Sequence, residues 1–205
     1  MQGAMNRSAT VQAVLKQLRR DIIMKNLKND TAVTELQFSQ DYGCSRAALR
    51  GALTVLEQEG LIRVMPNGTK RISTLSEDDI NNLYGLRAYV ECSAVKQILE
   101  KTTPDISKLM KVLEDASDTD FLECDTLFHE TLVAMSENKA LLQVWRTFVP
   151  VIRELFMLNF THSQTLKDTI QERHMLIVKM LVNKDERVTE ILNSHIEEAR
   201  RLSIQ

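Results

Sequence analysis

The chain has 205 residues, of which 43% are hydrophobic and 26% are charged, and its formal net charge is −2. These values are typical of a soluble globular protein. No apolar run approaches the roughly 20 residues that a membrane-spanning helix needs, and the opening residues MQGAMNRS lack the apolar centre of a signal peptide. The composition therefore excludes an integral membrane protein and favours a cytoplasmic protein with two small domains.

The three cysteines, Cys44, Cys92 and Cys124, are dispersed and show no CxxC spacing. An odd, scattered set argues against a disulfide or zinc–cysteine framework and favours a reducing compartment. We expect each of them to be a small buried apolar side chain.

A first helix is predicted at about 10–26, and the stretch 35–54, ELQFSQDYGCSRAALRGALT, then has the pattern of a helix-turn-helix. Ser39 is small enough to let the second helix of this pair approach the first, and Gly43 supplies the positive φ of the turn. Ser45 is placed to cap the second helix. The residues expected to seal the two helices together are apolar or aromatic: Phe38, Tyr42, Cys44, Leu49 and Ala52.

Arg46 and Arg50 lie four residues apart, so they project from one face of the second helix. A helix in the major groove uses such side chains, because arginine can bond phosphate or the O6/N7 edge of guanine. The pattern therefore predicts DNA binding by Arg46 and Arg50, with Ser45 at the same end of the helix. The alternative is an ordinary helical hairpin with two solvated arginines.

A β-hairpin wing is predicted after the helix-turn-helix. Gly60 should end the second helix, and two β-prone runs follow it, LIRVM and KRIST. They flank a Pro-Asn-Gly-Thr turn at 66–69. Lys70 and Arg71 are expected at or near the tip of the wing, where they and the backbone near Gly68 would contact phosphate or the minor groove.

Charge is divided unevenly along the chain. Residues 1–75 hold 11 Lys and Arg against 6 Asp and Glu, a net of +5, whereas residues 76–205 hold 15 against 22, a net of −7. A basic first part and an acidic second part indicate a nucleic-acid partner for the first part alone. We therefore expect a winged helix-turn-helix domain at 1–75 and a separate domain at 76–205.

The second part predicts little besides helix. Its first helix should run from the Ser-Glu-Asp-Asp cap at 76–79 to about Lys101, and Pro104 is placed to open the next helix at its first turn. The apolar residues that mark the face of the first helix are Ile80, Leu83, Leu86, Val90 and Ala94. Further helices are expected at about 104–117, 119–136, 139–160, 164–182 and 185–203. Short links between amphipathic helices indicate an antiparallel all-α bundle, so the fold class is mainly α.

Three of the four histidines have positions that suit metal binding. Asp125 and His129 are four residues apart on one predicted helix, so their side chains point the same way. His174 and His195 each lie in the middle of a later helix. Three imidazoles and one carboxylate suit Zn²⁺, Ni²⁺, Mn²⁺ or Fe²⁺, but spacing alone leaves open that they are separate surface or core residues. His162 fits no such pattern and is expected in a loop.

Taken together, these motifs closely resemble the GntR family of bacterial transcription regulators, in the FadR-type subfamily with an FCD ligand-binding domain. The resemblance covers about residues 10–203. It rests on GCSRAALRGALTVLEQEGLI in the first part, and on SEDDINNLYGLRAYVE and DTLFHETLVAMSENKALL in the second. The later histidine positions of the family are occupied by His174 and His195. The resemblance implies one divalent metal ion held by Asp125, His129, His174 and His195.

The resemblance also implies a homodimer whose winged domains bind a palindromic operator in double-stranded DNA, with a small organic or sugar acid as the effector. Arg87 matches a pocket-facing arginine that could pair with the effector's carboxylate, and the alternative is an ion pair with Glu91. Asn138 matches a family asparagine that either lines the pocket or caps the next helix. Leu36 stands where relatives commonly carry a DNA-contacting arginine, so base readout is expected to rest more on the second helix.

These features predict a metabolite-responsive transcriptional regulator, most often a repressor in this family, and not an enzyme. Two alternatives remain. One is a constitutive DNA-binding regulator with a purely structural metal. The other is a metal-dependent hydrolase that uses metal-bound water, against which the sequence shows no general-base motif beside the ligands and no nucleophile elbow.

Overall fold

The computed structural model describes the backbone of residues 2–101, 104–115, 120–159 and 164–204. Within these ranges, side chains are described for residues 11–158 and 164–204. The chain forms two compact units, Met1–Ser76 and Glu77–Gln205. Within the described ranges, no helix is both long enough and apolar enough to cross a membrane.

The first unit is a three-helix fold with a small sheet. Its elements are α1 Gln2–Ile23, β1 Ala32–Val33, α2 Glu35–Asp41, α3 Arg46–Gln58, β2 Ile62–Val64 and β3 Lys70–Ile72. The strands are antiparallel in the order β1-β3-β2. Helices α1 and α2 both pack on α3. The predicted winged helix-turn-helix is therefore confirmed, with α2 and α3 as the helix pair and β2 and β3 as the wing.

Local chemistry explains how the helix pair and the wing turn. Gly43 has a φ of +56° between α2 and α3, and Gly68 has a φ of +80° in the wing turn, a region of backbone conformation that favours glycine. The Ser45 hydroxyl accepts a hydrogen bond from the N–H of Ala48 at 3.1 Å. Ser45 is therefore the N-cap of α3, as the sequence predicts.

Two features of the first unit differ from expectation, and the position of the wing cations agrees with it. Helix α1 ends at Ile23 rather than near residue 26, because Lys25 takes a positive φ of 58° that a continuing helix cannot contain. Strand β1 has only two residues, which is too short for the alternation that identifies a strand in sequence. Lys70 and Arg71 are the first residues of β3, directly after the wing turn, and so lie near the tip of the wing as expected.

The second unit is built from helices throughout its described residues. They are α4 Glu77–Glu100, α5 Ser107–Glu114, α6 Phe121–Met135, α7 Lys139–Asn159, α8 Gln164–Val182 and α9 Val188–Ile204. Helix α4 packs against α6, α7 and α9, while α8 packs against α5 and α9. The all-α bundle is confirmed. The expected helix boundaries at 117, 119 and 160, and the expected loop position of His162, lie outside the described residues.

The buried face of α4 is only in part the one predicted, since Val90 and Ala94 are buried as expected but Leu86 is not. Leu86 is 42% exposed, whereas the charged residues Arg87 and Glu91 are buried together with Tyr84 and Val90. Apolar periodicity cannot detect such a face, because two of its members, Arg87 and Glu91, are charged groups that pair with each other. The correction matters because it places a buried ion pair inside the bundle.

Two smaller expectations are also wrong. Pro104 does not open α5, which begins three residues later at Ser107, after the Asp105 carboxylate has accepted a hydrogen bond from the Ser107 N–H. Among the cysteines only Cys124 is buried, whereas Cys44 and Cys92 are partly exposed.

A buried ion pair joins the first helix of the winged unit to the end of α3. The Nε and Nη2 atoms of Arg19 donate to the two carboxylate oxygens of Glu59 at 2.7 and 2.6 Å. The two side chains are only 10% and 5% exposed, so water screens their interaction little. Two parallel hydrogen bonds also fix the relative orientation of the two groups.

Replacing Arg19 by alanine is expected to destabilise the winged unit by about 3–5 kcal/mol, because Glu59 would become a buried charge without a partner. The double replacement Arg19→Met with Glu59→Met should recover most of the loss. Hydrogen exchange of the α3 amides measures the effect, since the single tryptophan, Trp145, reports on the other unit. Equal α3 protection in the wild type and Arg19→Ala would contradict the prediction.

Candidate functional site

Four side chains from three helices meet inside the second unit. Asp125 and His129 lie on α6, His174 on α8 and His195 on α9, and one ligand atom of each lies within 4.8 Å of the others. The three histidines are buried and Asp125 is partly buried. The structure thus brings together all four residues that the sequence singles out as metal ligands.

The three imidazoles present the same atom to the centre of this cluster. Nε2 of His195 lies 3.2 Å from Nε2 of His129 and 3.2 Å from Nε2 of His174. Oδ1 of Asp125 lies 3.9 and 3.5 Å from Nε2 of His129 and His174. Ligand atoms that share an ion at about 2.0–2.2 Å are separated by roughly 3–3.5 Å, so this spacing fits one divalent cation.

The protonation state of the cluster also fits a cation. Burial lowers the pKa of both His174 and His195 well below its usual range, and the nearby His129 and Arg87 lower it further. Both imidazoles are therefore neutral at neutral pH. A single proton on Nε2 of His195 could serve only one of its two neighbours, whereas one bound cation accepts a lone pair from all three nitrogens.

Glu91 on α4 fixes the orientation of His129. Its Oε2 accepts a hydrogen bond from Nδ1 of His129 at 2.7 Å, and its Oε1 accepts from Nε of Arg87 at 2.7 Å and Nε1 of Trp145 at 3.1 Å. Because Nδ1 carries the proton, Nε2 of His129 keeps its lone pair for the cluster. Burial raises the pKa of Glu91, but the charge of Arg87 and the hydrogen bonds that His129 and Arg87 donate outweigh this effect and hold the pKa well below its ordinary value.

Sequence reasoning missed this part of the site. It places Glu91 only as a possible partner of Arg87 on the same helix and assigns no role to Trp145. The contacts to His129 and Trp145 depend on how α6 and α7 pack against α4. Sequence spacing contains no signal for that packing.

Aromatic packing holds the histidine rings in place. Phe128, which is fully buried, stacks on His174 with ring centroids 4.0 Å apart and planes 11° apart. It also meets His129 edge to face at 5.4 Å. The rings therefore have little freedom to turn away from the centre of the cluster.

A cavity of about 50 Å³ opens beside the four ligands. Asp125, His129 and His195 line it, together with Arg87 and Trp145. The volume is sufficient for a few water molecules or for a small carboxylic acid. The cluster is therefore not sealed inside the core but faces a space that a ligand can enter.

The two residues predicted to contact an effector have different surroundings. Arg87 forms the ion pair with Glu91 and also lines the cavity. The ion pair and a position facing the pocket, which were alternatives in the sequence, therefore occur together. Asn138 caps α7, because its Oδ1 accepts hydrogen bonds from the N–H groups of Ala140 and Leu141 at 3.1 and 3.2 Å. It is not among the residues that line this cavity, so its position favours capping over effector contact.

The candidate DNA-binding residues of α3 are exposed. Arg46, Arg50 and the N-cap Ser45 all lie at the surface of the winged unit. Nε of Arg50 lies 3.8 Å from Glu35, but these side chains are 62% and 44% exposed, so the ion pair is weak. Arg46 makes no ion pair with any residue in the described part of the chain.

The cations of the wing, in contrast, have acidic neighbours. Lys70 pairs with Glu57 of α3, and Arg71 contacts Asp30 through both the carboxylate and the carbonyl oxygen. Arg63 of β2, which sequence reasoning missed, donates to the other side-chain oxygen of Asp30 at 2.9 Å. A phosphate that approaches these three cations therefore competes with carboxylates of the protein.

Comparisons with known proteins cover both units. Residues 10–71 match the bacterial regulatory proteins of the gntR family, and residues 82–198 match the FCD domain. A gluconate operon transcriptional repressor of Bacillus licheniformis is 26% identical over 195 residues, which cover 88% of this chain and 79% of that protein. The HTH-type transcriptional repressor RspR of Escherichia coli K12 is 21% identical over 196 residues, covering 91% and 86%.

Solved structures show the same fold. A GntR transcriptional regulator from Rhodococcus sp. RHA1 superposes with a TM-score of 0.64 at 20% identity, covering 96% of this chain and 98% of that one. Escherichia coli McbR/YncC superposes with a TM-score of 0.68 at 17% identity, covering 96% and 97%.

A winged helix-turn-helix unit followed by this helical unit defines a bacterial transcription regulator and not an enzyme. The chain belongs to the GntR family and carries an FCD domain. The hydrolase alternative is therefore wrong.

Replacing Glu91 by glutamine is expected to lower the affinity for Zn²⁺ about 10–100-fold, because His129 would lose the acceptor that fixes its tautomer and ring orientation. A chromophoric chelator competing for the metal measures the affinity. Glu130→Gln is the matched control, since Glu130 is the next residue after His129 but pairs with Arg146 at the surface. Equal Zn²⁺ affinity in the two variants would show that Glu91 does not position the ligand.

Proposed function

We propose that this regulator binds a small carboxylate at a metal ion in its FCD domain and that this binding changes its affinity for operator DNA. The proposal is carried by one observation. Three of the four residues able to bind a metal, Asp125, His129 and His195, line a cavity that Arg87 also lines. A ligand in that cavity would meet a metal and a guanidinium, which together suit an anionic oxygen.

Asp125, His129, His174 and His195 would hold one divalent ion, either Zn²⁺, Ni²⁺, Mn²⁺ or Fe²⁺. When bound, such an ion offers open coordination positions to an oxygen ligand. The chain's own residues prepare the site: burial keeps His174 and His195 neutral, and Glu91 holds the proton of His129 on the nitrogen that faces away. The ligand set comes from α6, α8 and α9, so occupancy also ties these helices together.

Arg87 is the residue that would recognise the effector's carboxylate. Its Nε is used by Glu91, and its terminal nitrogens make no hydrogen bond with the described residues. The guanidinium keeps its charge at all relevant pH values and can form two parallel bonds to a carboxylate. An organic or sugar acid would thus place one carboxylate between the metal and Arg87.

For DNA recognition we infer a homodimer on a palindromic operator. Ser45, Arg46 and Arg50 would contact one half-site in the major groove, and Lys70, Arg71 and the backbone of Gly68 would contact phosphate or the minor groove. One recognition helix reads only a few base pairs, so a specific site needs two copies. Relatives that are named transcriptional repressors favour repression as the outcome.

The effector's signal would start at α4. This helix carries both Arg87 and Glu91, and it begins at Glu77, directly after the winged unit ends at Ser76. A carboxylate that draws Arg87 toward the metal changes the hydrogen bonds that hold α4 against α6 and α7. A coupling of about 1–3 kcal/mol between the two sites is enough for regulation.

A second function remains a candidate because of one feature. Four protein ligands are more typical of a structural zinc site than of one with open positions. A constitutive DNA-binding regulator with a structural metal would show this ligand set and no response to small molecules.

Arg46→Ala is expected to weaken operator binding at least tenfold, since a good arginine–guanine contact contributes about 1–3 kcal/mol of discrimination. The operator would first be recovered by selecting bound fragments from the source genome, and fluorescence anisotropy then gives the affinity. Arg146→Ala removes one exposed cation from α7, in the other unit, and should leave binding unchanged. If Arg46→Ala bound the operator with wild-type affinity, Arg46 would have no role in base recognition.

Release of the operator should depend on the metal. In the Zn²⁺-loaded protein, at least one member of a panel of small carboxylates should change the operator affinity by about 5–150-fold. His174→Ala should bind little Zn²⁺ and should not respond to the same acid, while still binding DNA. A metal-loaded protein whose operator affinity is unchanged by every acid would favour the constitutive alternative.

A further inference from the structure

We infer that the effector of this site is a monocarboxylate with a hydrocarbon body rather than a sugar acid. The inference rests on the proposed function, since it assumes that the carboxylate binds at the metal and Arg87. It concerns the part of the cavity wall that would meet the rest of the ligand.

Away from the metal ligands and Arg87, the wall is largely apolar. Side chains from α6, α7, α8 and α9 contribute to it, among them Leu122, Val149, Ile152, Phe156, Ile170 and Leu202. Some of these belong to a buried hydrophobic cluster formed around Leu122, Phe156 and Ile170. A ligand body that covers this wall gains by removing apolar surface from water, and the gain is larger for carbon than for hydroxyl groups.

Four other polar side chains line the same cavity, and each has a partner within the protein. The hydroxyls of Thr126 and Thr169 each donate to the carbonyl four residues earlier in their own helix, at 2.7 and 2.8 Å. Glu198 and Arg153 each have a partner of opposite charge, at 3.2 and 4.0 Å. The two hydroxyls keep lone pairs that can accept a hydrogen bond, but these four side chains are outnumbered by the apolar ones, so the described wall offers a ligand body more apolar surface than polar partners.

This arrangement discriminates against a polyol. A sugar acid has a hydroxyl on nearly every carbon, and each hydroxyl that enters the cavity gives up its water partners. Hydroxyls that find no replacement partner weaken binding substantially, whereas a hydrocarbon chain of the same length has no such partners to lose. One carboxylate is recognised, and the rest of the ligand is selected for being apolar.

Hexanoate and gluconate test the inference, because both are six-carbon monocarboxylates and differ in the hydroxyl groups. The full-length Zn²⁺-loaded protein is titrated with each at equal ionic strength, by calorimetry and by the fluorescence of Trp145, which lines the cavity. Hexanoate is expected to bind at least tenfold more tightly than gluconate. Hexanol, which lacks the carboxylate, and the chelator-treated protein should both give little binding.

Val149→Thr places a hydroxyl in the apolar wall with little change of shape. It should weaken hexanoate binding about threefold to tenfold while the Zn²⁺ affinity stays the same. Val144→Thr is the matched control, since Val144 lies on the same helix but is 41% exposed and does not line the cavity.

The possible results separate the two proposals. Tighter binding of gluconate, or equal effects of the two valine replacements, would overturn the inference and leave a metal-dependent carboxylate sensor intact. Hexanoate binding that survives removal of the metal would also overturn it, by placing the carboxylate elsewhere. If neither acid binds while Zn²⁺ is retained, the inference fails, and the operator assay with the wider acid panel decides the proposed function separately.

Discussion

The carboxylate of Glu91 accepts hydrogen bonds from Arg87, His129 and Trp145, which reach it from three helices of the FCD domain. A carboxylate removed from water persists as an anion only when such donors surround it, and removing one of them leaves a buried charge at high cost. The packing of α4 against α6 and α7 therefore brings these donors together. The metal site, the cavity wall and the position of Arg87 all depend on this arrangement.

A consequence is that recognition chemistry and core packing share the same residues. His129 contributes one nitrogen to Glu91 and the other to the metal cluster, and Arg87 contributes one nitrogen to Glu91 while its other end lines the cavity. A ligand that pulls on either residue acts on a buried network and not on a flexible surface. Buried networks rearrange between discrete states, which is what a regulatory domain requires of its ligand site.

Sequence reasoning located the elements well where the signal is local. The turn at Gly43 and the cap at Ser45 act through residues within a few positions of themselves, and the bundle follows from helical periodicity. The four metal ligands could be singled out from spacing and resemblance, but their convergence depends on helix packing. The same dependence hid the role of Trp145 and the exposure of Leu86, because neighbours across the bundle decide which face of α4 is buried.

The acidic residues beside the wing cations bear on how strongly the protein would bind nonspecific DNA. The carboxylates of Glu57 and Asp30 pair with Lys70, Arg63 and Arg71 in the protein itself. They take the place that DNA phosphates would otherwise occupy. If these cations contact DNA as proposed, binding to a nonspecific sequence would exchange one anionic partner for another, so fewer counterions would be released and nonspecific binding would be weaker. Among the roughly 10⁶–10⁹ competing sites of a genome, a regulator built in this way spends less of its time on the wrong ones.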